Sequence, residues 1–357
     1  MNGPHGNGDT VGSRYVVIGF VGQGGMQFVY RAHDTLMQRI VALKTPKNNS
    51  ATKRFKRSAV VAAKVNHHNV AKTLDYVREG DSRYLIEEFV EGEDLQQALL
   101  ERAPFVDPYL AAKIFHNISK GLAAAHHANV IHRDLKPTNI MVVGGYSLEE
   151  IKITDFGIAK MADEELIDAA EGGESTMTAS QTAVGALPYM APEAIERPRE
   201  VGQAADIWSV GAMMYQLITG QLPFGNGLKA VLRILQQDPL PVPSFVTANP
   251  QFSPLSSELL KISLACLNKD PEKRPSADGL VSLCGALCYS QSQRIEGVID
   301  DFRFNAWGFI KPAQAKVFFH RSSVYGPAKI VQGAKVIFSP HLGNGANRAH
   351  PVMVLDK

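Results

Sequence analysis

The sequence predicts an α+β chain with three successive regions: a strand-rich beginning, a helix-rich centre and a strand-rich tail. The first region has two apolar, β-rich runs around a glycine cluster, YVVIGFVGQGGMQFVY at Tyr15–Tyr30. In the centre, Ala, Leu and Ile recur at helical spacing over Leu110–Ala128. From about residue 290 the chain returns to short β-like runs separated by Gly, Pro, Asn and Ser. Its 357 residues exceed what one hydrophobic core usually serves, so two or three folding units are expected.

Composition limits the class of protein. Hydrophobic content of 45% and charged content of 20% are ordinary for a globular protein. No run of eighteen or more apolar residues occurs, so no membrane span is expected. Residues 1–13 lack the basic start and apolar segment of a signal peptide, and they are interpreted as a disordered, glycine-rich arm. The cytoplasm is the simplest compartment, since three cysteines are too few for a disulfide scaffold. Cys284 and Cys288, four apart, suggest one buried helix face rather than a metal site.

The string HRDLKPTNI at His132–Ile140, followed by DFG at Asp155–Gly157, carries the strongest chemical signal. It places two magnesium-binding side chains and a carboxylate at the spacing that phosphoryl transfer from ATP to a protein hydroxyl requires. Asp134 would accept or orient the substrate hydroxyl, Asn139 would hold one magnesium, and Asp155 would hold the metal that bridges the phosphates. A chance HRD tripeptide is common, but the full pattern makes a turn with incidental polar residues a weak alternative.

Residues about 14–285 resemble a serine/threonine protein kinase, in the spelling of the bacterial eukaryotic-like (Hanks-type) group. Lys136, in DLKP, is the residue typical of serine/threonine rather than tyrosine kinases. The resemblance implies a bilobal kinase fold, with an N-lobe at 14–90 and a C-lobe at 91–289. It also implies ATP and Mg²⁺ as cofactors, protein substrates, and catalytic roles for Asp134, Lys136 and Lys44.

The glycine cluster is predicted to close over the ATP phosphates, where glycines let backbone amides approach the anion. A plain hairpin turn is the less favoured alternative, because VALK follows at Val41–Lys44 and supplies a phosphate-binding lysine. Gly22 and Gly24 match the family's first two glycines, while the third position holds Gln27. The implied ATP-binding residues are Val21, Gly22, Gly24, Val29, Ala42, Lys44, Glu88 and Val90.

Two departures from the family pattern bear on catalysis. Ser58 stands where the family has a helix glutamate that fixes the phosphate lysine, and no Asp or Glu occurs between Lys44 and Asp75. Ala186 replaces a threonine that usually hydrogen-bonds the catalytic aspartate and lysine. Both changes predict slow or conditional catalysis.

The hinge segment YLIEEFVEG, Tyr84–Gly92, suggests a substitute for the missing carboxylate. Alignment places Glu87 at the gatekeeper position, whose side chain points toward the phosphate lysine. Glu88, Phe89 and Val90 would then form the hinge that bonds adenine. A register error of one residue is an equally weighted alternative.

The segment between Asp155 and the APE motif at Ala191–Glu193 predicts regulation. Six acidic residues lie within Met161–Glu174, and a hydroxyl-rich stretch follows. Phosphate there could be paired by Arg133, which defines the candidate sites Ser175, Thr176, Thr178, Ser180 and Thr182. Three further residues have structural interpretations: Asp206 caps the catalytic loop, Arg274 pairs with Glu193, and the doublet His126–His127 serves helix surface and packing.

The tail is predicted to be a second module. It holds nine Lys/Arg against four Asp/Glu from Gln291 onward. WGFI at Trp307–Ile310 and VFFH at Val317–His320 resemble the two RNA-binding motifs of cold-shock domains, which are five-stranded barrels of the oligonucleotide-binding type. The resemblance implies a base-stacking platform of Trp307, Phe309, Phe318 and His320 with support from Lys311 and Lys316. The alternatives are rings that fill the barrel core, or a protein-docking role; Asp300 and Asp301 would oppose nucleic acid on this face.

The sequence therefore predicts a serine/threonine protein kinase that phosphorylates protein hydroxyls, including its own activation loop, with single-stranded nucleic acid or a protein as partner of the tail. The rival hypothesis is a pseudokinase, a nucleotide-binding or docking module that presents the barrel. Small-molecule phosphotransfer is disfavoured by the APE motif and the substrate-docking segment.

Overall fold

A computed structural model describes residues 3–23, 27–47, 59–156, 185–290, 292–312 and 315–356. These residues form an N-terminal antiparallel sheet, a mainly helical lobe and a closed β-barrel. Every helix in these ranges is too short or too polar to cross a membrane.

The N-terminal sheet has six strands in the order β1-β2-β3-β4-β6-β5. Their bounds are β1 Thr10–Val11, β2 Tyr15–Gln23, β3 Gln27–Asp34, β4 Arg39–Pro46, β5 Thr73–Glu79 and β6 Ser82–Glu88. Strands β2 and β3 pair from Tyr15↔Asp34 to Gln23↔Phe28, and Gly22 of the glycine cluster lies on β2. A separate core of this lobe contains buried side chains such as Tyr15, Tyr30 and Leu43. A short helical segment at 59–62 follows β4 in the chain.

The N-terminal arm is ordered over its described residues, which corrects the prediction of disorder for residues 1–13. Val17 exchanges backbone hydrogen bonds with Gly8 and Asp9, and β1 pairs with β2. The His5 ring also packs near Tyr30 and Tyr84, and its Nε2 lies 3.0 Å from the Tyr84 hydroxyl. Pairing to the sheet edge provides hydrogen-bond partners for the backbone groups of this arm. The glycine-rich sequence gave no sign of these partners.

The helical lobe contains seven α-helices among the described residues after 107. They are α1 Pro108–His127, α2 Pro192–Glu196, α3 Ala204–Thr219, α4 Leu228–Gln236, α5 Phe245–Ala248, α6 Ser253–Cys266 and α7 Ala277–Gly285. A small sheet of β7 Glu93–Asp94, β8 Ile140–Val143 and β9 Glu150–Ile153 holds the catalytic segment against the helices. The predicted helix over Leu110–Ala128 is confirmed as α1, and Asp107 caps it by accepting from the backbone of Tyr109 and Leu110.

The end of this lobe corrects one prediction. Residues 253–285 form two helices, because a DPEKRP segment separates them with prolines that cannot continue a helix. Cys284 is buried, but Cys288 is exposed, since α7 ends at Gly285. The two cysteines therefore do not share one buried helix face.

The tail folds as a closed barrel of five strands, with a two-residue strand added. The strands are β10 Ile295–Arg303, β11 Trp307–Lys311, β12 Val317–His320, β13 Val324–Tyr325, β14 Lys335–His341 and β15 Arg348–Val354. The order β12-β11-β10-β14-β15 is closed by pairing of β12 with β15. Ile310, Phe319 and Phe338 are among the side chains that fill its interior. The predicted five-stranded barrel is confirmed.

The last strand, β15, forms from a stretch whose sequence does not favour a strand. β15 contains Pro351, and a proline within an apolar run argues against a strand. The structure accommodates this segment beside a register shift in the β14–β15 ladder between Phe338 and Pro340.

The barrel packs directly on the helical lobe and shares its hydrophobic core. Outward-facing barrel residues Tyr325, Ile337, Met353 and Leu355 belong to the same buried cluster as the lobe interior. The Tyr325 ring lies 5.8 Å from Phe105 and 5.1 Å from Phe252 between ring centres.

A buried ion pair crosses the same interface. Arg294, just before β10, lies 2.9 Å from Asp107 at the start of α1, and the two side chains are only 5% and 1% exposed. The barrel is therefore a fixed part of the described structure and not a loosely tethered module.

Candidate active site

A cleft of about 780 Å³ separates the N-terminal sheet from the helical lobe. This volume suits a small-molecule ligand of nucleotide size. The described residues predicted for ATP binding, catalysis and metal binding all line it: Val21, Gly22, Val29, Ala42, Lys44, Glu88, Val90, Asp134, Lys136, Asn139 and Asp155. Gly24 lies outside the described residues.

The catalytic segment gathers its polar side chains around Asp134. Lys136 Nζ donates to both Asp134 carboxylate oxygens at 3.0 and 2.8 Å. Asn139 Nδ2 donates to the Asp134 backbone carbonyl at 2.7 Å and to its carboxylate at 3.1 Å. A carboxylate with a neighbouring cation, facing an open cleft, is suited to accept or orient a hydroxyl proton.

Asp155 lines the same cleft and contacts Lys44. Lys44 Nζ donates to Asp155 Oδ1 at 2.6 Å. Burial by itself would raise the pKa of Asp155, but the charge of Lys44 outweighs it and lowers that pKa below the ordinary value. Asp155 also has a φ of +63°. Non-glycine residues rarely adopt this backbone conformation, and it concentrates at functional sites.

Phe156 fixes the direction of Asp155. Its side chain is 3% exposed and its ring lies 4.6 Å from the His132 ring, in the core of the helical lobe. His132 Nε2 donates to the Thr154 carbonyl at 2.8 Å. With Phe156 held in the core, the carboxylate of Asp155 faces the cleft.

Asp206 caps the backbone of the catalytic segment, as predicted. Its carboxylate accepts from the backbone amides of His132 and Arg133 at 2.9 and 2.8 Å. The predicted pair of Arg274 and Glu193 is also confirmed. The guanidinium donates two hydrogen bonds to the carboxylate, at 2.6 and 2.9 Å, in a buried bidentate ion pair.

His126 is a supporting residue that sequence reasoning placed only as surface or packing. It is buried, and its Nε2 lies 2.9 Å from Asp206 Oδ2. His127 is the surface member of the doublet and lies 2.8 Å from Asp278. The sequence signal for this role was a histidine on the buried face of the helix that precedes HRD.

Gln27 is a site residue that sequence reasoning missed. Its side chain is buried and Nε2 donates to Asp155 Oδ1 at 3.0 Å. Gln27 and Val29 are two apart on β3, and alternation along a strand puts both on the face that lines the cleft. The position that the family fills with glycine therefore supplies an amide N–H to the Asp155 carboxylate here.

Glu87 occupies the predicted gatekeeper position, and the alternative of a register error is wrong. The residue pairs with Ala42 across the β4–β6 ladder, its side chain is 4% exposed, and it forms an ion pair with Lys44. Glu88 points elsewhere and lies 2.9 Å from Lys152. Burial by itself would lower the pKa of Lys44, but Asp155 and Glu87 raise it above the ordinary value.

Several predicted residues lie outside the described part of the chain. They are Ser58 and the candidate phosphorylation sites Ser175, Thr176, Thr178, Ser180 and Thr182. Ala186 is described, and together with Asp134 and Arg133 it lines a small cavity of about 20 Å³.

The donor set suits a magnesium ion that shares its coordination with phosphates. Asp155 and Asn139 offer a carboxylate and an amide oxygen on the same side of the cleft, and Mg²⁺ is commonly bound by one or two carboxylates plus substrate phosphates. The described residues contain no cluster of three or more His, Cys, Asp or Glu arranged to hold a metal alone.

The barrel presents the predicted aromatic residues on its outside. Trp307, Phe309 and Phe318 are half-buried, form ring contacts of 5.9 to 6.1 Å and lie outside the barrel core, so the alternative that they fill that core is wrong. His320 pairs with Trp307 across β11 and β12. Sequence reasoning missed Phe304, which is 88% exposed in the preceding turn.

The two aspartates expected on this face are paired. Asp300 forms an ion pair with Lys316 at 2.5 Å. Asp301 accepts from the Phe309 backbone at 3.0 Å and from Arg303 at 2.8 Å, and Arg303 lies over the Trp307 ring. Their charges are therefore partly neutralised within the barrel face.

A two-lobed chain with this cleft, with the HRDLKPTNI segment and a buried lysine lining it, has the architecture of a protein kinase. A family model described as "Protein kinase domain" matches residues 15–283. The chain belongs to this family. In structure it is similar to the PknI kinase domain of Mycobacterium tuberculosis, with a TM-score of 0.58, 21% identity, and coverage of 79% of this chain and 98% of that one. That likeness bears on the fold alone.

Curated relatives share more sequence. The chain is 32% identical to the serine/threonine-protein kinase PrkC of Bacillus subtilis over 75% of its length, and 33% identical to pkn3 of Myxococcus xanthus over 76%. It is 30% identical to PkaA of Streptomyces coelicolor over 97% of its length. These alignments span 39%, 49% and 62% of the relatives' own lengths, so the chain matches only part of each.

Proposed function

We propose that this chain is a serine/threonine protein kinase that transfers the γ-phosphate of ATP to protein hydroxyls. The observation that carries the proposal is the convergence of Lys44, Asp134, Asn139 and Asp155 on one cleft. The named activity of the relatives supports it. We also propose domain boundaries near residues 90 and 290, supported by the end of β6 at Glu88 and the start of β10 at Ile295.

The side chains divide the work of phosphoryl transfer. Asp134 orients the hydroxyl nucleophile and receives its proton, while Lys136, bound to the same carboxylate, offers positive charge beside the reacting groups. Lys44 binds the phosphates of ATP. Asp155 and Asn139 would hold Mg²⁺, which supplies charge neutralisation on the phosphates when bound.

The identity of the phosphorylated residue distinguishes this proposal from phosphorylation of tyrosine or of small molecules. The purified chain is incubated with Mg²⁺, γ-labelled ATP and a general protein substrate, and the labelled residues are identified by mass spectrometry. We expect phosphate on Ser and Thr, including sites among 175–182 that Arg133 would pair. Label confined to tyrosine or to small molecules would contradict the proposal.

Ala186 offers a test of catalytic strength. Ala186→Thr should raise kcat about fivefold, because one added hydroxyl beside Asp134 contributes roughly 1 kcal/mol to fixing that carboxylate. Ala186→Val is the matched control, since it has the same shape without the hydroxyl. Equal rates for the threonine and valine variants would contradict the prediction.

For the barrel we propose a cold-shock-like role in binding single-stranded nucleic acid. The observation that favours it is the aromatic cluster of Trp307, Phe309 and Phe318 outside the barrel core, on the β11–β12 face. In folds of the oligonucleotide-binding type, strands two and three form the ligand face. A protein-docking role is the competing hypothesis.

Binding of a fluorescent ten-nucleotide oligothymidine to the full chain tests the barrel proposal. Affinity should fall steeply with salt. Phe309→Ala and Phe318→Ala should each weaken binding about tenfold, since stacking on one ring contributes roughly 1–3 kcal/mol. Asp300→Asn should tighten binding by removing a charge and releasing Lys316. Phe20→Ala, in the N-terminal sheet, is the control. If the folded chain does not bind the oligonucleotide at low salt, the nucleic-acid proposal is contradicted and the protein-docking hypothesis remains.

A further inference from the structure

Lys44 is held by two carboxylates and not by one. Asp155 lies 2.6 Å from Lys44 Nζ on one side, and Glu87 forms an ion pair with the same nitrogen. The side chains of Lys44 and Glu87 are 7% and 4% exposed, whereas that of Asp155 is 27% exposed. The pair of Lys44 and Glu87 is therefore the better shielded from solvent.

The two carboxylates differ in what else they do. The proposed function assigns Asp155 to the metal, and Gln27 already donates to the oxygen that Lys44 contacts. Glu87 has no metal-binding task in that function. It is therefore the carboxylate that can stay with Lys44 throughout the reaction.

The sheet itself fixes this pair. In the β4–β6 ladder, Ala42 lies opposite Glu87 and Lys44 lies opposite Leu85. Lys44 and Glu87 are diagonal neighbours on one face, a separation within the reach of long side chains. Their backbones are joined by the hydrogen bonds of one ladder, so the pair does not depend on the position of a separate helix.

The helix that follows β4 cannot supply an acid. The sequence has no Asp or Glu between Lys44 and Asp75, and this interval contains the helical segment at 59–62. In protein kinases generally, the lysine pairs with a glutamate of this helix, and movement of the helix controls that pair.

We propose that Glu87 is the positioning residue for Lys44, taking over from the sheet the role that a helix glutamate has in other kinases. This inference rests on the proposed kinase function. It has a regulatory consequence: the orientation of the phosphate lysine in this chain is independent of the position of the helix after β4.

Steady-state kinetics of the full chain test the inference. Glu87→Gln keeps the side-chain shape and removes the charge, and it should lower kcat at least tenfold and raise the KM for ATP at least fivefold, because Lys44 binds the ATP phosphates. Glu79→Gln, an exposed glutamate on β5, is the matched control and should leave both unchanged. If Glu87→Gln does not fold, Glu87→Met replaces it, because an apolar side chain leaves no unpaired polar group buried. Turnover within twofold of wild type would overturn the inference.

An acid at the position that the family uses should rescue the loss. Adding Ser58→Glu to the Glu87→Gln variant restores an acid at the position that the family uses, and we expect kcat to recover at least threefold. A merely structural role for Glu87 predicts no such recovery, and its absence would overturn the inference.

A thermodynamic cycle separates this inference from the proposed function, because equilibrium ATP binding requires no turnover. The ATP dissociation constant is measured for wild type, Lys44→Met, Glu87→Gln and the double variant. If Glu87 acts through Lys44, its substitution weakens binding in the wild-type chain but changes it less than twofold when Lys44 is already Met. Equal effects in both backgrounds would overturn the inference, whether or not the chain transfers phosphate.

Discussion

Asp155→Ala and Asp134→Asn should each reduce phosphate transfer at least ~1,000-fold, a loss of about 4 kcal/mol of transition-state stabilisation. Asp155 is the carboxylate assigned to the metal, and Asp134 is the group that orients the hydroxyl. Neither role can be taken over by a neighbour, because Lys44 and Lys136 carry the wrong charge and Asn139 is neutral. Initial rates of labelled-phosphate incorporation into a protein substrate measure the effect.

Asp81→Asn is the matched control for these variants. It makes the same change at an exposed turn between β5 and β6, and it should leave the rate within twofold of wild type. Transfer that persists at the wild-type rate in both active-site variants would show that the described cleft is not where the chemistry occurs.

Arg294→Ala should destabilise the whole chain by about 3–5 kcal/mol, the usual loss when one partner of a buried ion pair is removed. The substitution leaves Asp107 buried without its counter-charge, at the interface of the barrel and α1. Equilibrium urea unfolding measures the free energy of unfolding. Tyr325→Ala should cost a similar amount, because this ring is 1% exposed and packs between Phe105 and Phe252.

Arg303→Ala is the control for the interface. Arg303 pairs with Asp301 on the barrel surface, where its side chain is 55% exposed, and surface pairs contribute about 0–1 kcal/mol. If Arg294→Ala destabilises no more than Arg303→Ala, the barrel is not anchored by this pair. Two separate unfolding transitions in the wild-type chain would contradict a shared core.

The catalytic segment could be predicted from the sequence because its chemistry is local. HRDLKPTNI and the Asp-Phe of DFG place their side chains within short segments, and the structure brings Asp134, Asn139 and Asp155 together in one cleft. Long-range contacts of single side chains were harder to foresee. The bond from Gln27 to Asp155 spans 128 residues and depends on how the two lobes meet.

The docking of the barrel was missed for a different reason. Composition marked the tail as a separate unit, but its runs VIF at Val336–Phe338 and VMVL at Val352–Leu355 are apolar without alternation. Continuous apolar runs indicate strands buried on both faces. Val336 and Phe338 fill the barrel, while Ile337 between them packs on the helical lobe.

The pairing of Lys44 with Glu87 shows what a departure from a motif can indicate. The missing acid before Asp75 and the unusual acid at the gatekeeper position were both visible in the sequence. Only the strand register could show that the second lies beside the lysine, because a one-residue slip would turn Glu87 to the opposite face.

Parallel measurement of ATP binding and phosphate transfer on one preparation tests the central claim, that this cleft is catalytic and does not merely bind nucleotide. We predict that the wild-type chain binds ATP and transfers phosphate to protein Ser and Thr, whereas Asp134→Asn binds ATP with similar affinity and transfers none. A wild-type chain that binds ATP but transfers no more phosphate than Asp134→Asn would contradict the account and identify a pseudokinase.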